Sequence, residues 1–296
     1  ISLEFLKIGS LNLDKTLHRL KGRLWMSLAL ILLLTQGCAS HSPESIALKI
    51  SKMAGLQADE LRGGDFVLRV YYKFMNPGAP LHIYLEGDGR AWLSGTRISR
   101  NPSPGNPVAL HLAAREPGKN VMYIARPCQY VSFAKNPHCE YPYWTHKRFS
   151  TEVIDSVSAV IDMGKKKAQA NKLEIIGFSG GGAVAVLVSA QRSDVYGIRT
   201  VAGNLDHKVW TRHHKVDPLN GSLNAADVAK KVANIPQIHY IGSQDENMGR
   251  YVAESFLSKA GRIDCIKIKT VKGVTHSKGW EQAWSRLLTN ALPDCS

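Results

Sequence analysis

Residues 173–182 read L-E-I-I-G-F-S-G-G-G. The strand-like stretch Leu173 to Ile176 predicts a strand, and a helix is predicted from Gly181 to Gln191. The G-x-S-x-G pattern therefore lies at a sharp turn between a strand and a helix. Such a turn needs small neighbours, because strand and helix approach closely there, and it presents its serine at a helix N-terminus, where the dipole favours developing negative charge. Ser179 is thus the candidate nucleophile.

The segments on either side of this turn alternate between strand-like and helix-like patterns. The alternation predicts an α/β fold with a mostly parallel sheet and helices on both faces, and 296 residues suit one such domain better than two small ones. The predicted strands, in chain order, are 66–74, 81–85, 121–125, 173–176, 198–202, 237–241 and 266–271. The predicted helices are 107–115, 151–167, 181–191, 249–259 and 279–292.

Two loops at the carboxyl ends of predicted strands hold the groups that a nucleophilic serine needs. Asp245 follows the sixth predicted strand and His276 follows the seventh. A histidine that takes the serine proton, oriented by a carboxylate, makes the hydroxyl a usable nucleophile near neutral pH. Asp206, after the fifth predicted strand, is the alternative carboxylate, and Glu246 ranks third.

From Phe66 to the C-terminus the sequence resembles the α/β-hydrolase superfamily, through G-x-S-x-G at its strand–helix turn. The resemblance implies the α/β-hydrolase fold and the chain order serine, acid, histidine, which Ser179, Asp245 and His276 follow. It further implies a serine hydrolase that acts on an ester or thioester through an acyl-enzyme intermediate and uses no cofactor and no metal. The alternative is a non-catalytic cell-envelope lipoprotein that uses the same fold for binding.

Two other protein classes fit the serine turn poorly. A trypsin-like protein is all-β and carries its histidine and aspartate before the serine. A phosphate-binding glycine loop needs a Lys-Ser or Lys-Thr pair, and none follows Gly182.

The turn after the second predicted strand, residues 86–90, reads E-G-D-G-R. By the same resemblance, the oxyanion hole consists of the backbone N–H groups of Gly180 and Asp88. Glu86 stands where many relatives have a histidine. Two carboxylates beside a developing anion are unfavourable unless they point away or are neutralised, so Arg90 is the predicted ion-pair partner.

The N-terminal forty residues have the organisation of a bacterial export signal. Basic residues precede an apolar run, Leu28 to Leu34, that is too short to span a bilayer permanently. The following L-T-Q-G-C, which ends at Cys38, resembles the lipobox of bacterial lipoproteins, and this implies a lipid on Cys38. Ala39 resembles the residue found in lipoproteins sorted to an outer membrane. We therefore expect a lipid-anchored protein of the bacterial cell envelope, facing the periplasm.

Three segments follow from these patterns. Residues 1–37 are the predicted signal peptide, with residues 1 to about 17 as an over-extended start, and residues 38–60 are the predicted lipid-anchored segment. Residues 61–296 form the predicted hydrolase domain. Within it, residues 204–236 lack clear periodicity until their last part and are a candidate for a small lid.

Four cysteines remain beside Cys38, an even number that suits an oxidising compartment. Cys128 and Cys139 would close a short loop. A final helix of about 21 Å running back along a last strand of about 20 Å would return Cys295 to Cys265. The sequence therefore predicts the disulfides Cys128–Cys139 and Cys265–Cys295.

The expected partners are a membrane, through the lipid, and a small-molecule or lipid ester. The formal charge of +14 comes from scattered basic residues, which predict a solvated basic surface rather than a nucleic-acid site. Aromatic residues before the second predicted helix could line an apolar acyl or alcohol pocket, or pack around the first disulfide. They are Tyr130, Phe133, Tyr141, Tyr143 and Trp144.

Overall fold

A computed structural model describes residues 42–118, 120–261 and 264–295. The predicted signal peptide and Cys38 lie outside these residues. Within the described part of the chain, no helix combines the length and the apolar character that crossing a membrane requires.

The strands of the described residues form one sheet in the order β1-β2-β4-β3-β5-β6-β7-β8. β1 and β4 each pair antiparallel with β2, and all other neighbouring strands are parallel, which confirms the predicted mostly parallel sheet. The strands are β1 (Gln57–Gly63), β2 (Phe66–Phe74), β3 (Leu81–Leu85), β4 (Asn120–Ile124), β5 (Leu173–Phe178), β6 (Val195–Val201), β7 (Gln237–Gly242) and β8 (Ile266–Val271).

Helices cover the sheet in two groups. The helices are α1 (Pro43–Met53), α2 (Val108–Ala113), α3 (Thr151–Ala168), α4 (Gly180–Ser189), α5 (His207–His214), α6 (Arg250–Ala260) and α7 (Trp280–Leu288), with 3-10 turns at Tyr141–Trp144 and Ala225–Val232. α2 contacts both α1 and α7, whereas α3 contacts α4, and α4 contacts the 3-10 turn that also packs against α6. α4 is buried along its whole length and accordingly lacks a polar face.

The predicted start of the domain at residue 61 is wrong, because it cuts through β1. β1 pairs along its full length with β2, and α1 contacts β1, so the chain from Pro43 onward belongs to one compact unit. β1 reads Q-A-D-E-L-R-G and is largely exposed. As an edge strand it needs no apolar alternation, and for this reason its sequence gives little sign of a strand.

The candidate lid, residues 204–236, divides into two parts, of which the second is packed into the core. Its first part contains α5. Its second part is the 3-10 turn Ala225–Val232, which packs on α4 through its buried residues, Ala225, Ala226, Ala229 and Val232. This second part belongs to the core, so the prediction of a lid does not hold there.

Both predicted disulfides are present. Cys128 is bonded to Cys139, and Cys265 to Cys295, with Cα atoms 5.5 and 4.8 Å apart. α7 ends at Leu288 rather than at the predicted residue 292, and irregular chain covers the remaining distance to Cys295.

Candidate active site

Ser179 lies at the turn between β5 and α4 with φ 51° and ψ −120°, a conformation that costs free energy for any residue with a side chain. Its neighbours must be glycine, because a Cβ on Gly177 would lie 2.2 Å from the carbonyl oxygen of Gly181, and a Cβ on Gly181 would lie 2.3 Å from that of Leu85. The Ser179 N–H donates to the Val201 carbonyl at 2.9 Å, which fixes the turn against β6. The packing thus holds a strained serine at the carboxyl edge of the sheet.

The three residues proposed from the chain order come together in space. His276 Nε2 lies 3.0 Å from Ser179 Oγ, and His276 Nδ1 lies 3.0 Å from Asp245 Oδ2. The other oxygen of Asp245 accepts hydrogen bonds from the backbone N–H groups of Asn247 and Met248, at 2.9 and 2.8 Å. A buried carboxylate held in this way fixes the histidine tautomer and leaves Nε2 free to accept the serine proton.

The alternative acids have other surroundings. Asp206 accepts hydrogen bonds from the N–H groups of Lys208 and Val209, and so caps the N-terminus of α5. Its second oxygen accepts from Ser255 at 2.7 Å and pairs with Lys259 at 2.9 Å. Glu246 is exposed. Of the three candidates, Asp245 alone contacts His276.

The oxyanion loop, residues 86–90, lies beside the nucleophile. Asp88 adjoins Gly180 so closely that a Cβ on Gly180 would lie 2.0 Å from Asp88 Oδ1. Within the described residues, neither the N–H of Asp88 nor that of Gly180 donates to another group. Both donors of the predicted oxyanion hole are therefore open to a substrate oxygen.

Two arginines neutralise Asp88, and the predicted pairing with Arg90 is wrong. Arg126 Nη1 contacts Asp88 Oδ1 at 3.0 Å, and Arg148 Nη1 contacts Asp88 Oδ2 at 2.8 Å. Burial alone would raise the pKa of the Asp88 carboxyl, but the two guanidinium charges outweigh it and lower that pKa. The carboxylate next to Gly180 thus stays ionised without repelling an oxyanion.

Glu86 is neutralised differently. Its Oε1 accepts from the N–H groups of Gly87 and Ala109 at 2.9 and 3.4 Å, and its Oε2 accepts from the Tyr123 hydroxyl at 3.2 Å. No cation pairs with it in the described chain, and burial raises the pKa of its carboxyl from 4.5 to about 7. Near neutral pH, Glu86 therefore carries only part of a negative charge.

A cleft of about 500 Å³ opens above Ser179 and His276. None of the five aromatic residues considered as a pocket lining borders it, so of the two alternatives the lining role does not hold for this cleft. Trp144 instead stacks on Phe133 and meets Tyr141 edge-on, with ring centroids 5.9 and 5.3 Å apart. The large apolar side chains that do line the cleft come from elsewhere in the chain: Trp92, Val108, Phe178, Trp210 and Met248.

Sequence patterns could not identify this lining. Trp92 lies on the irregular chain between β3 and α2, and Trp210 lies on α5, where no helix was predicted. His214, also on α5, contacts the Asn247 carbonyl through its ring nitrogen at 2.9 Å. Within the described part of the chain, no cluster of three or more His, Cys, Asp or Glu side chains is arranged to hold a metal ion.

The chain has the α/β-hydrolase fold, as comparison with solved structures shows. An esterase of Pyrococcus furiosus is 14% identical with a TM-score of 0.56, and the alignment covers 80% of this chain and 92% of the esterase. Est1E from Butyrivibrio proteoclasticus is 15% identical with a TM-score of 0.52, covering 78% and 97% of the two chains. A puromycin hydrolase is 16% identical with a TM-score of 0.54, covering 79% of this chain and 37% of the hydrolase. No protein-family model and no curated protein matches the sequence.

Proposed function

We propose that the protein is a serine hydrolase that cleaves a carboxylic ester or thioester through an acyl-enzyme intermediate. The proposal depends on one observation, the continuous chain of hydrogen-bonding contacts from Ser179 through His276 to Asp245. The esterases and the hydrolase among the similar structures are consistent with it.

Acylation starts when Ser179 Oγ attacks the carbonyl carbon of the ester. His276 Nε2 takes the hydroxyl proton, and Asp245 stabilises the imidazolium that forms. The negative charge on the carbonyl oxygen is bound by the N–H groups of Gly180 and Asp88. Collapse of this intermediate expels the alcohol or thiol, which receives the proton from His276.

Deacylation repeats these steps with water as the nucleophile. His276 removes a proton from the water, the oxyanion forms at the same two N–H groups, and Ser179 leaves with the proton that His276 returns. The product acid then leaves the cleft and the free enzyme is restored.

Labelling with a fluorophosphonate probe tests the proposal, because such a probe reacts much faster with an activated serine than with an ordinary hydroxyl group. We expect the wild type to be labelled and Ser179→Ala to remain unlabelled. Ser277→Ala is a matched control, since Ser277 lines the same cleft but follows the histidine instead of contacting it. A wild-type protein that resists the probe and hydrolyses no ester would favour the alternative, a lipoprotein that uses the fold for binding.

We also propose that Cys38 anchors the protein to a membrane of the bacterial cell envelope. The support is the export signal and the lipobox-like L-T-Q-G-C that precedes Ala39. In cells fed a labelled fatty acid, the wild type should carry the label and sediment with membranes, whereas Cys38→Ala should do neither. Ser40→Ala, two residues further on, is the control. Continued membrane sedimentation of an unlabelled Cys38→Ala variant would contradict the lipid anchor.

A further inference from the structure

The charges around the cleft do not balance. Among the described residues that line it, Glu86 and Asp88 carry carboxyl groups, and Arg90 and Arg148 carry guanidinium groups. Asp88 is shared between Arg148 and the buried Arg126, so two positive charges already compensate one negative charge. Glu86 accepts three hydrogen bonds within the protein and is only partly ionised near neutral pH. The wall that carries the oxyanion loop is therefore positive.

Arg90 is a cation of this wall without an ion-pair partner among the described residues. Its side chain is exposed, and it forms no ion pair or side-chain hydrogen bond within the described part of the chain. Its backbone is nevertheless fixed, because the Arg90 N–H donates to the Pro102 carbonyl at 2.9 Å and Gln129 Nε2 donates to the Gly87 carbonyl at 3.0 Å. Arg90 thus lines the active-site cleft from an anchored loop and has an exposed side chain.

Arg90 follows the oxyanion donor Asp88 by two residues, so their Cα atoms lie within about 7 Å of each other. Arg90 and the Asp88 N–H can therefore contact the same small substrate. A guanidinium presents paired N–H donors that match the two oxygens of a carboxylate. One free guanidinium supplies one positive charge, which suits a monoanion better than a phosphate dianion.

We infer that the substrate carries a carboxylate a few bonds from the scissile ester, and that Arg90 binds this carboxylate. The inference rests on the proposed ester hydrolysis and adds the substrate class. The apolar side chains that line the same cleft, Trp92 and Trp210 among them, would contact the rest of the substrate.

A matched pair of esters tests the inference on the full chain. The 4-nitrophenyl monoester of adipic acid carries a free carboxylate, and 4-nitrophenyl methyl adipate has the same acyl chain without the charge. After subtraction of spontaneous hydrolysis, we expect the wild-type kcat/KM for the monoester to be at least roughly tenfold higher than that for 4-nitrophenyl methyl adipate. An effect of this size corresponds to one charge-assisted hydrogen bond. Arg90→Gln should abolish this preference, and added salt should weaken it in the wild type.

Arg97→Gln is the control, since Arg97 is exposed on the same irregular segment but does not line the cleft, and it should keep the preference. Equal kcat/KM for both esters in an active wild type, or an unchanged preference in Arg90→Gln, would overturn the inference and leave the proposed function intact. A lower inhibition constant for inorganic phosphate than for monomethyl adipate would contradict the assignment of a carboxylate to this site. Failure of the proposed function itself would look different: neither ester is cleaved and the fluorophosphonate does not label Ser179.

Discussion

Asp245 accepts from His276 through one oxygen and from two backbone N–H groups through the other, whereas Asp206, the alternative acid, has no contact with the histidine. Both carboxylates are buried and both lie after strands of the sheet. Their partners distinguish them, because Asp245 orients an imidazole and Asp206 caps a helix and pairs with Lys259. Asp245 is thus placed to orient the histidine, and Asp206 is placed to stabilise the fold.

Exchanging each aspartate for asparagine should separate these roles. Asp245→Asn should lower kcat by about a thousandfold or more, because the amide would favour the wrong histidine tautomer. Asp206→Asn should leave kcat within a few-fold and lower the free energy of unfolding by about 1 kcal/mol, because the amide can still cap α5 but loses the ion pair with Lys259. Steady-state kinetics and urea unfolding of both variants provide the measurement. A large loss of kcat in Asp206→Asn alone would exchange the two assignments.

Gly180 should not tolerate a methyl group. In Gly180→Ala the new Cβ would lie 2.0 Å from Asp88 Oδ1, so either the Asp88 carboxylate must leave Arg126 and Arg148 or the turn at Ser179 must move. Loss of one oxyanion donor typically costs about a hundredfold or more in kcat, and we expect a loss of this size. The kcat for a 4-nitrophenyl ester, with far-UV circular dichroism to verify folding, measures it.

Gly95→Ala is the matched control for that variant. A Cβ on Gly95 would have no atom within 4 Å, so kcat should not change. Equal activity of the two alanine variants would show that Asp88 need not adjoin Gly180 as closely as it does in the structure.

The parts of the fold that sequence patterns predicted best are those with buried, apolar strands. β2 and β3 begin and end at the predicted residues, because each is a strand-like run between turn residues. The edge strand β8 also begins and ends as predicted, because its isoleucines alternate with lysines. α1 and β1 were missed since both are largely polar on the side that faces away from the core. A sequence pattern reports burial, and it therefore says little about an edge strand such as β1 that has no alternation of apolar and polar residues.

Sequence analysis could predict only those residues of the candidate site whose position depends on the order of strands along the chain. Ser179, Asp245 and His276 each follow a strand, so their convergence at one edge is a consequence of the parallel sheet. The pairing of Asp88 with Arg126 and Arg148 spans 38 and 60 residues and depends on how irregular segments fold back. No local pattern specifies such a contact. Arg90 is close to Asp88 in the sequence, but this closeness does not make it the ion-pair partner of Asp88.

The two disulfides should stabilise the domain to different degrees. In the chain-entropy description, a disulfide stabilises by restricting the unfolded chain, and the effect grows with the enclosed loop. The separations of 11 and 30 residues give about 3 kcal/mol for Cys128–Cys139 and about 4 kcal/mol for Cys265–Cys295. Urea unfolding of the double variants Cys128→Ala/Cys139→Ala and Cys265→Ala/Cys295→Ala measures both, each serving as the control for the other. A greater loss in the first variant would show that lost packing around Cys128 outweighs loop length.

The raised pKa of Glu86 should make the protein less stable as pH increases. The folded protein keeps the Glu86 proton up to about pH 7, whereas the unfolded chain releases it near 4.5. Between these values the folded state binds more protons, so the free energy of unfolding falls with rising pH, by up to about 3 kcal/mol from this group.

Glu86→Gln removes the titration, and its stability relative to the wild type should rise between pH 5 and 8. Glu246→Gln, an exposed carboxyl near the same edge, should show no such rise when urea unfolding is repeated across this range. A stability difference between Glu86→Gln and the wild type that stays constant with pH would mean that Glu86 is already ionised at pH 5, and that the oxyanion loop then carries a full second negative charge.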